Sequence, residues 1–403
     1  MRLSWLLMQA VLFKIPGQEW RWLGGMTLLE RNLRLLSQVG VEKAWVLHPP
    51  GDPMPLFTVP RALDMEVIHS PLEIGTADPL TILPALHQEL DKPFLLLDAN
   101  LLVDRRVLAT MSRQPPPAFM ILGNGVFPPP WRVGMLAPRH LSMGNEVFHK
   151  AQRVSLLAVS GHDTENHGSA PPYCEKMTSD EDLQRGWRLL LDRVSQRPAD
   201  VLEKYVHPAV ENRIVTALCT TAVTPSQVAL LSLAFALAGA SLFYQGWFVL
   251  AVLFSWMTIL LDGVEGKLAR LKLMAAPLTR QEFATKLFSE NLWYLALAER
   301  LAQTHHPTAW GIGMAVIACT LVDQLLGAWF TRTTGKPLDE MSAFDRRLCF
   351  LGGRRGMYLV VLLVGFLTGT SLPAFQLVLA WAALTFMLHA GRAAFHLRRR
   401  KTT

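Results

Sequence analysis

The stretch 260-LLDGVEGKLARL-271 closes a long apolar run with an unusual set of residues. Asp262, Glu265, two glycines, Ala269 and Arg270 all fall within nine positions. A carboxylate at the end of an apolar helix is costly unless it meets a cation or water, so it marks a functional site by default. On a helix Asp262 and Glu265 stand three apart and share a face. Gly266 and Ala269 continue that stripe without bulk, and Arg270 follows one turn beyond Gly266, where it can pair with phosphate. Together these residues have the parts to hold a divalent metal, admit a nucleotide diphosphate to the backbone and clamp it with an arginine.

The surroundings of this stretch set its context. The chain has 403 residues, room for two or three domains. Residues 1–215 read as a mixed, Pro-rich globular sequence, whereas apolar runs dominate from Gln227 onward. A membrane span needs ~20 mostly apolar residues. The second half offers six candidates, near 227–246, 247–265, 284–303, 309–330, 356–372 and 374–395. Much of the net charge of +7 lies beside these runs and calls for no nucleic-acid partner.

Lysines and arginines fix the expected orientation. Lys267, Arg270, Lys272 and Arg280 fall in the link between spans two and three. Arg332, Lys336, Arg346, Arg347, Arg354 and Arg355 fall between spans four and five, and the tail reads HLRRRKTT. The remaining links carry only Arg300. The expectation is a multi-pass protein of the cell membrane, with the N-terminal half and the C-terminus in the cytoplasm. Cys174, Cys219, Cys319 and Cys349 form no C-x-x-C pair, so neither a disulfide framework nor a zinc site is indicated. The opening MRLSWLLMQAVLF lacks a small-x-small cleavage site and runs into Lys14, which favours a buried first strand over a signal sequence.

In the N-terminal half LSWLLMQAVLF, KAWVLH and PFLLLDA read as buried strands, and GMTLLERNLRLLSQVG and DPLTILPALHQELD as helices. That alternation predicts an α/β domain with a mainly parallel sheet. Ligands of such sheets gather at the carboxyl ends of strands, where Asp98 and Asn100 of LLLDANLL fall. Over residues 1–150 this arrangement resembles a nucleotidyltransferase-like domain. The segment 24-GGMTLLERNLRLLSQVGVEKAWVL-47 looks like the family's second element, and LLLDAN like its strand ending in a metal-binding D-x-D. The family's G-x-G-x-R loop, which wraps a triphosphate with backbone N–H groups, is replaced by 13-FKIPGQEWR-21. The D-x-D has become Asp98-x-Asn100, one charge fewer for a divalent cation. Asp98 is therefore either a metal ligand or the cap of a strand end.

Residues 151–185, rich in Ser, His, Asp, Glu and Pro, read as an irregular insertion. His162, Asp163 and His167 within it are candidate metal ligands or, by loop composition, solvated surface. A helix, DEDLQRGWRLLLDRVSQ, follows. The expected domains are 1–150 for the α/β unit, 151–196 for the insertion and linker helix, and 197–403 for an all-α six-helix transmembrane domain.

Asp262, Glu265, Gly266, Ala269 and Arg270 resemble the first half of the CDP-alcohol phosphotransferase signature, D-x-x-D-G-x-x-A-R, with glutamate in place of its second aspartate. The resemblance covers about residues 197–400. Within it 223-VTPSQVALLSL-233 is similar to the family's T-P-N-x-V-T start of the first span, and 344-FDRRLCFLGGRRGMYL-359 to the basic segment before the fifth. The signature's second half, G-x-x-x-D-x-x-x-D, departs. Its glycine falls on Leu278, its third aspartate on Glu282 and its fourth on Lys286; one helical turn later Lys286 and Glu290 take those places. Glu282, Lys286 and Glu290 share a helix face. They are either remnants of the family's metal and general-base residues or an ion-pair ladder at the membrane edge.

The resemblance implies a reaction. A CDP-linked alcohol binds with its pyrophosphate on a divalent ion, Mg²⁺ or Mn²⁺, held by Asp262, Glu265 and Glu282. Gly266 and Ala269 give room for the nucleotide, and Arg270 contributes charge. An acceptor hydroxyl on a lipid or phosphorylated polyol attacks the β-phosphoryl group, with Lys286 or Glu290 as the proton-handling candidates, and CMP leaves. Arg354 and Arg355 either attract an anionic acceptor or serve as positive-inside determinants beside acidic lipid. A homodimer is a further expectation. The pairing of both domains resembles bifunctional proteins in which one domain makes CDP-inositol and the other transfers phosphoinositol. Two other readings compete: a non-catalytic descendant that scaffolds a partner, and a transporter, for which Asp323 is the one isolated mid-span charge.

Overall fold

The computed structural model describes residues 8–14, 19–51, 65–71, 89–121, 131–156, 159, 171–195, 201–274, 280–304 and 306–401, with the backbone alone over 280–290. The chain divides into two compact units. One comprises Met1–Val194, Cys219–Ala222 and Arg270–Leu273; the other comprises Ser195–Leu218, Val223–Ala269 and Met274–Thr403.

The first unit begins with β1 (Met8–Phe13), β2 (Trp22–Leu23), β3 (Met26–Thr27), α1 (Leu28–Gln38), β4 (Val41–His48), β5 (Glu66–Pro71), β6 (Phe94–Asp98) and β7 (Leu101–Val103). It continues with α2 (Arg105–Met111), β8 (Ala118–Ile121), β9 (Trp131–Leu136), α3 (Val147–Lys150), β10 (Gln152–Ser155), β11 (Cys174–Lys176) and α4 (Asp180–Val194). Seven strands form one sheet in the order β10-β8-β9-β6-β1-β4-β5. β1 runs parallel to β4 and β6, β4 to β5, and β8 to β10; only β9 opposes its neighbours. The α/β expectation, with a mainly parallel sheet, is met.

The apolar runs predict this arrangement because a central parallel strand is covered on both faces. Alternate side chains enter separate cores. Ala10, Leu12, Val46, Leu95 and Leu97 belong to one cluster; Val11, Phe13, Trp45, Leu47 and Leu96 belong to the other. Between β2 and β3, Gly24 and Gly25 have φ of +61° and +82°, the left-handed pair of a two-residue hairpin loop. A Cβ on Gly24 would also lie 2.5 Å from the Trp187 ring. Thr27 then caps α1, its side chain accepting from the Glu30 N–H at 3.1 Å.

The expected irregular insertion differs from what forms. β10 pairs in parallel with β8, and β11 pairs antiparallel with β7. The polar composition hid these strands because each is only three or four residues long and is held by a distant partner. α4 matches the expected helix and starts on a capping box, in which Ser179 Oγ accepts from Asp182 N–H and Asp182 Oδ2 accepts from Ser179 N–H. His162, Asp163 and His167 lie outside the described residues, as does most of the expected helix DPLTILPALHQELD.

The second unit is helical: α5 (Val201–Tyr205), α6 (His207–Cys219), α7 (Pro225–Gln245), α8 (Phe248–Leu271), α9 (Arg280–Gln303), α10 (Thr308–Thr334), α11 (Ala343–Leu351), α12 (Arg355–Leu367) and α13 (Ser371–Lys401). The six expected spans fall on α7, α8, α9, α10, α12 and α13. Among the described residues five segments are long and apolar enough to cross a membrane: α7, α8, α10, α11 with α12, and α13. This is the build of a multi-pass membrane protein. α9 falls outside that group because charges enter both its ends, at Arg280, Glu282, Lys286 and Glu290 and again at Glu299 and Arg300. Its central residues Trp293, Tyr294, Leu297 and Ala298 are nonetheless core.

Chain ends of these helices follow local chemistry. α7 opens on a Thr224 capping box with Gln227 and Pro225 in its first turn, and stops at Gly246 with φ +86°. α7 packs on α9, α9 on α10, α10 on α13 and α13 on α12. Close approach uses small residues, as where a Cβ on Gly313 would come 2.6 Å from that of Ala298. Outward-facing Leu230, Leu237, Leu253, Leu325, Leu367 and Leu377 are exposed, an apolar exterior that water does not favour and a bilayer does.

Candidate functional site

The site is built on the last three turns of α8. Helical spacing puts Asp262, Glu265, Gly266 and Ala269 along one stripe. Asp262 is held from two other helices. The Ser232 hydroxyl of α7 donates to Asp262 Oδ1 at 2.7 Å, and Arg355 Nη1 at the start of α12 lies 3.0 Å from Asp262 Oδ2. The Asp262 side chain retains 10% of its exposure, so the pair sits in a largely desolvated setting.

Arg355 is delivered by the turn 352-GGR-354. The Gly353 N–H donates to Thr385 Oγ1 at 2.8 Å, and a Cβ on Gly353 would lie 2.3 Å from the Tyr358 hydroxyl, so no side chain fits there. Arg354 and Arg355 therefore do not act as a matched pair. Arg354 is the exposed N-cap residue of α12, whereas Arg355 turns inward to Asp262. Both line a cavity of about 560 Å³ with Asp323, Tyr358, Thr385 and His389.

A second face of α8 carries Gly263 and Lys267. Lys267 Nζ lies 2.9 Å from Glu211 Oε2 and donates to Asn212 Oδ1 at 2.7 Å, both on α6. A Cβ on Gly263 would stand 2.3 Å from Glu211 Oε1, so this glycine makes the seat for that carboxylate. The two glycines of the stretch thus have different duties: Gly263 admits Glu211, and Gly266 leaves the Asp262 stripe without bulk. Ser232, Glu211 and Lys267 were missed in the sequence. A Ser in an apolar span is a weak signal, and nothing local shows which helix a basic residue will meet.

Asp262 and Glu265 present hard carboxylate oxygens, the donor type taken by Mg²⁺ and Mn²⁺. The donor chemistry fits such an ion, and these two residues supply part of a ligand set. Among the described residues no group of three His, Cys, Asp or Glu side chains converges. A third donor would come from the remaining candidate, Glu282, whose side chain lies outside the described residues along with those of Lys286 and Glu290. Leu278 is outside them entirely. Arg270 lies in the last turn of α8.

In the α/β unit, Asp98 ends β6 as expected. Its Oδ2 is 2.9 Å from Lys176 Nζ, and its Oδ1 accepts from the Asn100 N–H at 2.9 Å. Asn100 is committed as well, donating to the Glu19 carbonyl at 3.2 Å and accepting from the Arg21 N–H at 3.4 Å. Lysine and backbone groups thus surround the carboxylate that the D-x-D resemblance assigned to a metal.

No protein-family model and no curated protein matches the chain. Among solved structures it is similar to Mycobacterium tuberculosis phosphatidylinositol phosphate synthase (PgsA1) with CDP-DAG bound, at 17% identity and a TM-score of 0.37, covering 46% of this chain and 94% of that one. It is also similar to HddC from Yersinia pseudotuberculosis, at 8% identity and a TM-score of 0.32, covering 46% and 99%. A third, 4-diphosphocytidyl-2C-methyl-D-erythritol synthase, is 14% identical with a TM-score of 0.30, covering 45% and 97%.

Proposed function

We propose that the protein is an integral-membrane phosphotransferase that moves a substituted phosphoryl group from a CDP-alcohol to an acceptor hydroxyl and releases CMP, in phospholipid or polar-head-group synthesis. The observation that carries this reading is Asp262, a largely desolvated carboxylate at the end of an apolar helix, held by Ser232 and by Arg355, which lines the cavity. Packing alone does not require such a group. Asp262 and Glu265, with Glu282, would hold a divalent ion. When bound, the ion would supply positive charge to the pyrophosphate. Gly266 and Ala269 leave the stripe open for the nucleotide, Arg270 adds charge for its phosphates, and Arg354 draws an anionic acceptor toward the cavity. Arg355 offsets charge that builds on the transferring oxygens as CMP leaves.

A second reading has its own observation. Lys176 neutralises Asp98 and Arg355 neutralises Asp262, so the leading carboxylate of each candidate metal motif already has a cation. A catalytically degenerate scaffold would look like this.

One assay separates the two. CMP release by the purified, detergent-solubilised chain is measured with CDP-diacylglycerol and CDP-inositol, Mg²⁺ or Mn²⁺, and mixed lipid and phosphorylated-polyol acceptors. The phosphotransferase reading expects metal-dependent release that falls by about 10²-fold or more in Asp262→Asn. Release from folded wild-type protein no higher than from the variant, across all donors, establishes the scaffold instead.

A further inference from the structure

Asp323 of α10 and His389 of α13 meet inside the helical unit, 66 positions apart in sequence. His389 Nδ1 lies 2.8 Å from Asp323 Oδ1 and 3.1 Å from Oδ2. A carboxylate only accepts, so Nδ1 carries a proton, and in the neutral ring Nε2 keeps its lone pair. Nε2 is buried, with the Cys349 thiol as its one polar neighbour among the described residues and no oxygen or nitrogen partner. A thiol is a weak partner, so this buried nitrogen is poorly satisfied unless something else uses it. Both residues line the cavity of about 560 Å³, and so does Arg355, whose guanidinium reaches Asp262. The cavity therefore joins the Asp–His pair to the arginine on the candidate phosphoryl-transfer carboxylate.

We propose that His389 Nε2 is the general base that takes the proton from the acceptor hydroxyl, with Asp323 as the positioning residue that fixes its tautomer. This rests on the phosphotransferase reading and gives its cavity to the acceptor alcohol. The acceptor oxygen forms a bond to the β-phosphorus as the bond from that phosphorus to the bridging oxygen breaks. CMP departs with that electron pair. The acceptor's proton passes to Nε2, and the imidazolium later returns it to water. The arrangement is the base-plus-orienter geometry that general-base catalysis requires. It also gives Asp323 a use that needs no transport pathway.

The groups that would influence this histidine are identifiable on every neighbouring element. Asp323 faces it from α10 and Cys349 from α11, and Tyr294 of α9, Cys319 of α10 and Arg354, Arg355 and Tyr358 at α12 line the same cavity. Asp339 lines it from the link after α10. On α13 itself Arg392 and His396 are engaged by Asp345.

The test is CMP release by the full chain, wild type against His389→Gln and Asp323→Asn, between pH 5.5 and 9.5. Glutamine can keep the bond to Asp323 but offers no basic nitrogen. The expected result is a kcat lowered by about 10²-fold or more in His389→Gln with KM changed less than about threefold, and loss of the acid limb of the pH profile. Asp323→Asn should lower kcat by about 10-fold or more while retaining that limb, and it decides the matter if His389→Gln does not fold. An active wild type whose variants keep kcat and the acid limb overturns the assignment alone. An inactive wild type overturns the phosphotransferase reading and this assignment with it.

Discussion

At the scale of single residues, Asp98 shows how one partner changes what a carboxylate can do. Its place at the end of β6 follows from the run FLLLD, and strand-end carboxylates often meet ligands. Its neighbour could not be read from that run. Lys176 reaches it because β11 pairs with β7, in a register that sets Lys176 opposite Leu101. Asp98 is 6% exposed, so removing its cation leaves a desolvated charge. Lys176→Met should cost the α/β unit about 1–3 kcal/mol. Adding Asp98→Asn should recover part of that loss. Denaturant midpoints of the single and double variants, followed by tryptophan fluorescence, check both statements. At Gly24 the argument is steric and conformational: a Cβ would meet Trp187 at 2.5 Å with φ at +61°. Gly24→Val should lower the same midpoint by more than Lys176→Met does.

At the scale of elements, the frame of α7 shows how local signals set a boundary. The Thr224 box, Pro225 and Gly246 frame α7 within one short stretch of chain. β10 and β11 escaped because pairing, not composition, makes them strands. The α11–α13 junction is a third kind of case. Ser342 caps α11 by accepting from the Asp345 N–H at 3.1 Å, and Asp345 is fully buried. Arg392 Nε and His396 Nε2 of α13 lie 2.5 and 2.7 Å from its two oxygens. One carboxylate thus ties a helix start to a neighbouring helix. Asp345→Ala should leave Arg392 and His396 without it and lower the thermal midpoint of the helical unit by about 3–6 °C. Asp345→Asn should fall between that variant and the wild type, and differential scanning fluorimetry in detergent would show the order.

At the scale of the whole molecule, five apolar segments predict that the chain stays with membranes through an alkaline carbonate wash. Recovery in the soluble fraction would contradict the membrane reading. Orientation is a separate proposal, drawn from the basic links. Trypsin added to inside-out vesicles should cut at Arg332, Lys336, Arg346 or Arg347 and in the tail, while right-side-out vesicles protect them. The reverse pattern would invert the topology. Neither outcome depends on catalysis, so both can be settled before any substrate is known.

Sequence alone determined the two-part organisation, the central strands, the positions of the six long helices of the second unit and the Asp262-x-x-Glu265-Gly266-x-x-Ala269-Arg270 stripe. These follow from apolar run length, periodicity and caps, which act over a few residues. Tertiary structure alone decided that Arg355 meets Asp262, that Lys176 meets Asp98, that Gly263 seats Glu211 and that His389 joins Asp323 in a cavity. Each of those pairings depends on which helix or strand is laid beside which. Burial then makes the pairing consequential, because a charge removed from water must find its partner wherever the fold has put one.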